Sequence, residues 1–95
     1  MKKFLLLTIG FVPPTPEIMD AWNTWFTSIA DITVDQGGFA SGKEITSAGS
    51  RDLPMDKEAT TGYVFIQAED LQEAEKIAQK CPSLTSIRVY EIRTM

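Results

Sequence analysis

Asp52 is the side chain whose type and setting best suit chemistry. It stands in a polar, turn-rich stretch with Arg51, Asp56, Lys57 and Glu58 nearby, and functional residues concentrate on loops. A carboxylate there acts as a general acid or base if burial raises its pKa. Left in solvent beside Arg51, it is half of a surface ion pair worth little. Trp22 and Trp25 lie one helical turn apart; such pairs are more often core than ligand cage, so at least one packs on a sheet while the other is able to line a cleft. Cys81 precedes Pro82 at an expected helix end, where the dipole disfavours a thiolate, so it reads as a packed thiol rather than a nucleophile. Gly37 to Glu44 nearly spells a phosphate-binding loop, but Glu44 stands where Mg²⁺ binding needs Ser or Thr. Such a loop also requires a strand before it and a helix after it. The segment reads instead as a helix stop followed by an edge strand.

Composition removes several other chemistries. The 95 residues include no His and one Cys, so a Zn, Cu or haem site lacks ligands and a Ser-His-Asp or Cys-His arrangement lacks its base. No EF-hand spacing occurs, and neither a metal nor a cofactor is expected. One Cys cannot close an intrachain disulfide, which fits a reducing, cytoplasmic setting. With 9 Lys and Arg against 13 Asp and Glu, the net charge is −4, and nucleic acid, bound mostly through its phosphates, is not an expected partner. At 43 % hydrophobic and 23 % charged, the chain has the make-up of a folded globular domain. Its length suits one domain across residues 1–95, because domains commonly hold about 100 to 150 residues.

The elements follow from patterning. Met1-Lys2-Lys3 and the apolar run from Phe4 to Val12 resemble the start of a secretory signal, but Pro13-Pro14-Thr15-Pro16 follows instead of a small-residue cleavage site. The run is also shorter than the roughly 20 residues of a membrane span, and no membrane partner is expected. Residues 3 to 9 read as a strand covered on both sides, with Phe4, Leu6 and Thr8 alternating against Lys3, Leu5, Leu7 and Ile9. Thr15-Pro16-Glu17 is a helix start. Ile18, Met19, Trp22, Trp25, Phe26, Ile29 and Ala30 then form one apolar stripe on a helix ending near residues 31 to 34, with Gly37-Gly38 as the stop. Residues 39 to 47 read as an edge strand, 48 to 60 as a long loop, and 63 to 68 as a second strand apolar on both faces. Residues 69 to 80 form a second helix with Leu71, Ala74, Ile77 and Ala78 inward, and 87 to 93 a half-exposed edge strand.

The order is β-α-β-β-α-β, an α+β domain. In the ferredoxin-like arrangement this order gives a four-stranded antiparallel sheet in spatial order 4-1-3-2, with both helices on one face. The first and third strands are then central, and these are the two that are apolar on both faces. The uncovered face carries one alternation set from each central strand, either Leu5, Leu7 and Ile9 or Phe4 and Leu6 from the first and either Tyr63 and Phe65 or Val64 and Ile66 from the third, and a bare apolar patch of that kind marks an interface. A homodimer packed through the open sheet face is the expectation.

Lys3-Phe4-Leu5-Leu6-Leu7, the Pro-rich turn, Thr15-Pro16-Glu17 before a Trp-bearing helix, Gly37-Gly38, Lys57-Glu58, Gly62-Tyr63, Ile66, the helix from Leu71 to Lys80, Cys81-Pro82 and Ile87-Arg88-Val89-Tyr90-Glu91-Ile92 together resemble a YCII-related (DGPF-domain) protein. The resemblance spans nearly the whole chain and implies a dimeric α+β barrel of ferredoxin-like protomers. The family's Asp-Gly-Pro-Phe segment falls on Asp52-Leu53-Pro54-Met55, where Asp52 and Pro54 match. Some members carry a His and Asp pair proposed as catalytic; with no His, this chain does not inherit that activity.

Two functions lead among those compatible with these residues, ahead of a plain protein-interaction module. The first is a small-molecule-binding or accessory dimeric domain, with a cleft between helices and sheet lined by Trp22, Trp25, Asp52 and Tyr63. The second is a cofactor-free enzyme of the lyase or isomerase kind in which Asp52 moves a proton. A tuned carboxylate of that sort contributes about 10² to 10⁴ in rate.

Overall fold

Strand β1 (Lys2–Ile9) lies at the centre of a four-stranded antiparallel sheet because both of its faces are apolar. The computed structural model describes residues 1–11, 13–82 and 85–93. Val12, which closes the apolar N-terminal run, lies outside them. In chain order the remaining elements are α1 (Pro16–Ser28), β2 (Thr33–Gly38), β3 (Gly42–Thr46), β4 (Gly49–Leu53), β5 (Thr60–Ala68), α2 (Leu71–Gln79) and β6 (Ser86–Glu91).

The main sheet runs β2-β5-β1-β6, so the two doubly apolar strands are central and β2 and β6 are the edges. Counted along this sheet alone, that is the 4-1-3-2 arrangement. Register sets the faces, since directly paired residues point the same way. Phe4 pairs with Ile66, and Leu6 with Val64 and Val89. These residues meet Trp25 and Ile29 of the α1 segment and Ala74 and Ala78 of α2 in one buried core, which puts both helices on the same face. On the other face Leu5 pairs with Phe65 and Tyr90, and Leu7 with Tyr63.

Both helices begin as their sequences demand. The Thr15 side chain accepts a hydrogen bond from the Ile18 amide at 3.3 Å with Pro16 in the first turn, and Asp70 accepts from the Glu73 amide at 2.8 Å. Ala74 and Ala78 are fully or nearly fully buried and let α2 sit close to β5.

Three expectations about the middle of the chain need correction. Helix α1 stops at Ser28, short of residues 31 to 34. Its last turn tightens, with the amides of Ile29 and Ala30 donating to the carbonyls of Phe26 and Thr27, and the β-branched Ile32-Thr33-Val34 then favours extended backbone. Gly37-Gly38 is therefore no helix stop; it closes β2, which is the edge strand in place of residues 39 to 47. Residues 42 to 46 belong instead to a separate hairpin with β4, inside what reads as a long loop. Gly49 makes that turn with φ of 133°, a conformation glycine adopts without strain. Lys43 faces Asp52 on one side of the hairpin and Glu44 faces Arg51 on the other. The element next after Gly37-Gly38 is the strand β3, where a phosphate-binding loop would need a helix.

Candidate functional site

Beyond the end of the core, α1 and the sheet separate into an open cleft of ≈ 530 Å³. One wall is the outer stripe of α1, with Ile18, Met19, Trp22, Asn23 and Phe26. The floor is the adjoining end of the sheet, with Thr8, Gly38 and Gly62. The aromatic wall is anchored from below. Trp25 is 4 % exposed, and its indole Nε1 donates to the Ile77 carbonyl at 3.2 Å, tying α1 to α2. The Trp22 ring stands edge-on to Trp25 at 5.9 Å and lies at 5.6 Å from the Phe26 ring, tilted by 30°.

The floor is bare because the sequence omits side chains there. Gly38 pairs with Gly62, and Gly62 with Thr8. A β-carbon on Gly62 would stand 3.0 Å from the Gly37 carbonyl, so that position needs glycine for close packing of strands. On Gly38 it would meet nothing nearer than the Thr61 carbonyl at 3.9 Å, which leaves open space. The Thr8 and Thr61 hydroxyls lie 3.0 Å apart, and Thr61 Oγ1 also donates to the Thr8 carbonyl. By contrast, the side-chain amides of Asn23 and Gln36, both on the cleft, make no hydrogen bond among the described residues.

None of the described lining residues is ionisable. The cleft offers apolar contact and hydrogen bonds to a ligand, and no side chain there is an acid, a base or an activated nucleophile.

The four residues expected to share a cleft are not brought together in the protomer. Trp22 lines the cleft and Trp25 lies beneath it in the core. Asp52 is on the hairpin with its side chain 86 % exposed, 2.8 Å from Lys43 Nζ, because β3 and β4 project from the main sheet and cover neither face of their own ribbon. Another depression, ≈ 520 Å³ at the hairpin base, is lined by Phe39, Arg51, Asp56 and Glu58 among others, and Asp52 is not part of it. The hydrogen bond to Glu44, and then its charge, hold the Arg51 guanidinium above its ordinary pKa.

Tyr63 lies on the opposite face of the sheet. Its ring stacks on Phe39 at 5.6 Å, and its hydroxyl donates to Asp35 Oδ2 at 3.3 Å. The Asp35 charge, with lesser contributions from burial and this hydrogen bond, pushes the Tyr63 hydroxyl above the ordinary tyrosine range. Cys81 packs at the core margin. Asn23, Gln36, Gly38 and Gly62 also belong to the site, although their types and spacing in the sequence do not mark them. Only the register of β2 against β5, which brings two glycines side by side under an aromatic stripe, picks them out.

This fold and site define a ferredoxin-like α+β protein with a ligand-sized cleft between its first helix and its sheet. The chain belongs to the YCII-related domain family, whose pattern it matches over residues 26–95. No curated protein matches the sequence. Among solved structures, it resembles the 5-chloro-2-hydroxyhydroquinone dehydrochlorinase from Burkholderia phenoliruptrix AC1100 in complex with 2,5-dihydroxybenzoquinone. Identity is 13 % and the TM-score 0.57, over 96 % of this chain and 93 % of that one. At that identity the likeness establishes the fold. The 30S ribosomal protein S6 from Thermotoga maritima matches more distantly, with 15 % identity and a TM-score of 0.45 over 96 % of this chain and 87 % of that one.

Proposed function

We propose that this protein is a small-molecule-binding domain that works as a homodimer, with the ligand in the cleft between α1 and the sheet. The observation that carries the reading is the cleft itself: an aromatic wall over a glycine floor, with two unpartnered amides and no ionisable side chain among its described residues. Dimerisation is supported by the half-buried Leu5, Leu7, Tyr63 and Phe65 on the face the helices leave uncovered, with Tyr90 49 % exposed beside them. Among the described residues, no helix is long and apolar enough to cross a membrane. The reading takes the chain as a single cytoplasmic domain.

An enzymatic alternative, a cofactor-free lyase or isomerase using Asp52 as general acid or base, draws support from the dehydrochlorinase of similar fold. Against it stands the solvent around Asp52. A thermal-shift screen tests the main reading: a ligand present at ~100 times its dissociation constant stabilises the folded state by roughly 2.7 kcal/mol. Gly38→Val, which fills the cleft from its floor, is expected to remove that gain. A hit that stabilises this variant as much as the wild type contradicts the reading.

A further inference from the structure

We infer that the ligand of this cleft is an uncharged, planar ring system with hydrogen-bonding groups on its edge. The inference rests on the cleft being the binding site and goes on to say what enters it. Charge is excluded by the lining. No cation is present among the described lining residues to pair with a carboxylate or phosphate, and no anion to pair with an amine. Drawing an unpaired charge out of water is costly, and the net charge of −4 further disfavours anions.

Planarity follows from what faces the cleft from each side. Trp22 and Phe26 both line the cleft, their rings 5.6 Å apart and tilted by 30° to one another, so the wall is aromatic. On the floor, Gly38 and Gly62 leave flat backbone without a β-carbon. A flat aromatic ring packs against side chains of this kind with an attraction beyond its buried area, and the bare floor leaves it room. The edge groups are read by Asn23 and Gln36, each of which presents both a carbonyl acceptor and an NH₂ donor. The Thr8 and Thr61 hydroxyls already engage each other and the backbone, which leaves the two amides as the polar readers.

Titration of the ¹⁵N-labelled protein with 2-naphthol and, separately, with 2-naphthoate tests this at neutral pH, where the first is neutral and the second an anion of the same ring. The expected result is that 2-naphthol moves the backbone resonances of Gly38 and Gly62 and the Trp22 indole N–H. The naphthoate should bind at least about tenfold more weakly. Equal or tighter binding of naphthoate with shifts at these same resonances would overturn the ligand class while leaving the cleft as the site. Failure of both compounds to move them, or shifts confined to other residues, would overturn the site and the inference with it.

Discussion

Tyr63 lies across Gly37 so closely that a β-carbon on the glycine would stand 2.7 Å from the tyrosine Cε1 and 3.0 Å from its hydroxyl oxygen. The two are paired across β2 and β5, so the edge strand carries a glycine where its neighbour's ring needs the room. Gly37→Ala must displace the ring from Phe39 and Asp35, and overpacking of this kind costs about 1 to 3 kcal/mol. Urea unfolding is expected to show that loss. Gly38→Ala, one residue on, has free space and no positive φ; it is expected to be neutral or stabilising by up to about 1 kcal/mol. Equal destabilisation by both would contradict this assignment of the two glycines.

The Tyr63 hydroxyl is predicted to titrate above the ordinary tyrosine range, because the Asp35 carboxylate opposes formation of a phenolate beside it. Since the folded state holds this proton more tightly than the unfolded chain, the associated stability is full below the ordinary tyrosine pKa. It is lost as pH climbs through the raised value. Ultraviolet titration of phenolate absorbance in a Tyr90→Phe background isolates Tyr63. Asp35→Asn should bring its transition back toward the ordinary range, and an unmoved transition would refute the role given to Asp35.

The two tryptophans should behave differently when changed to phenylalanine. Trp25→Phe loses the hydrogen bond to Ile77 and leaves a gap in the core, an expected cost of about 2 kcal/mol. Trp22→Phe, at the margin, should change stability by less than about 1 kcal/mol while weakening any cleft ligand. Urea denaturation of both variants separates these effects.

Much of this architecture is legible in the sequence. The double-sided apolar runs at residues 3 to 9 and 63 to 68 mark the central strands, and Thr15-Pro16 marks the start of α1. The edge strand is not legible, because Asp35-Gln36-Gly37-Gly38 has neither apolar alternation nor strand propensity. Its pairing is supplied by β5, and its glycines serve the Tyr63 ring and the cleft floor. The hairpin is hidden for a related reason: its strands are wholly exposed and held by cross-strand pairing and ion pairs rather than by a buried face. Of the site, Trp22 is visible as one of an aromatic pair. Asn23 and Gln36 are not, since a neutral amide leaves no pattern in a single sequence until the fold shows which cleft it lines.

Dimerisation through the open face predicts that the protein sediments near twice its 10.6 kDa protomer mass at micromolar concentration. Phe65→Glu puts a charge on the apolar patch of each copy and should yield a monomer with its circular dichroism retained. A wild-type monomer, or a Phe65→Glu dimer, would rule out this interface.

Whether the ligand sits between α1 and the sheet, and not at the hairpin carboxylate, is tested most directly by titrating one thermal-shift hit into three proteins: wild type, Gly38→Val and Asp52→Asn. Asp52 is exposed and, among the described residues, paired with Lys43 alone, so its substitution should alter stability by no more than about 0.5 kcal/mol and leave the ligand-induced shift intact. The expected result is equal shifts for wild type and Asp52→Asn, and none for Gly38→Val. A shift that survives in Gly38→Val and disappears in Asp52→Asn would contradict the assignment and place the ligand at the hairpin.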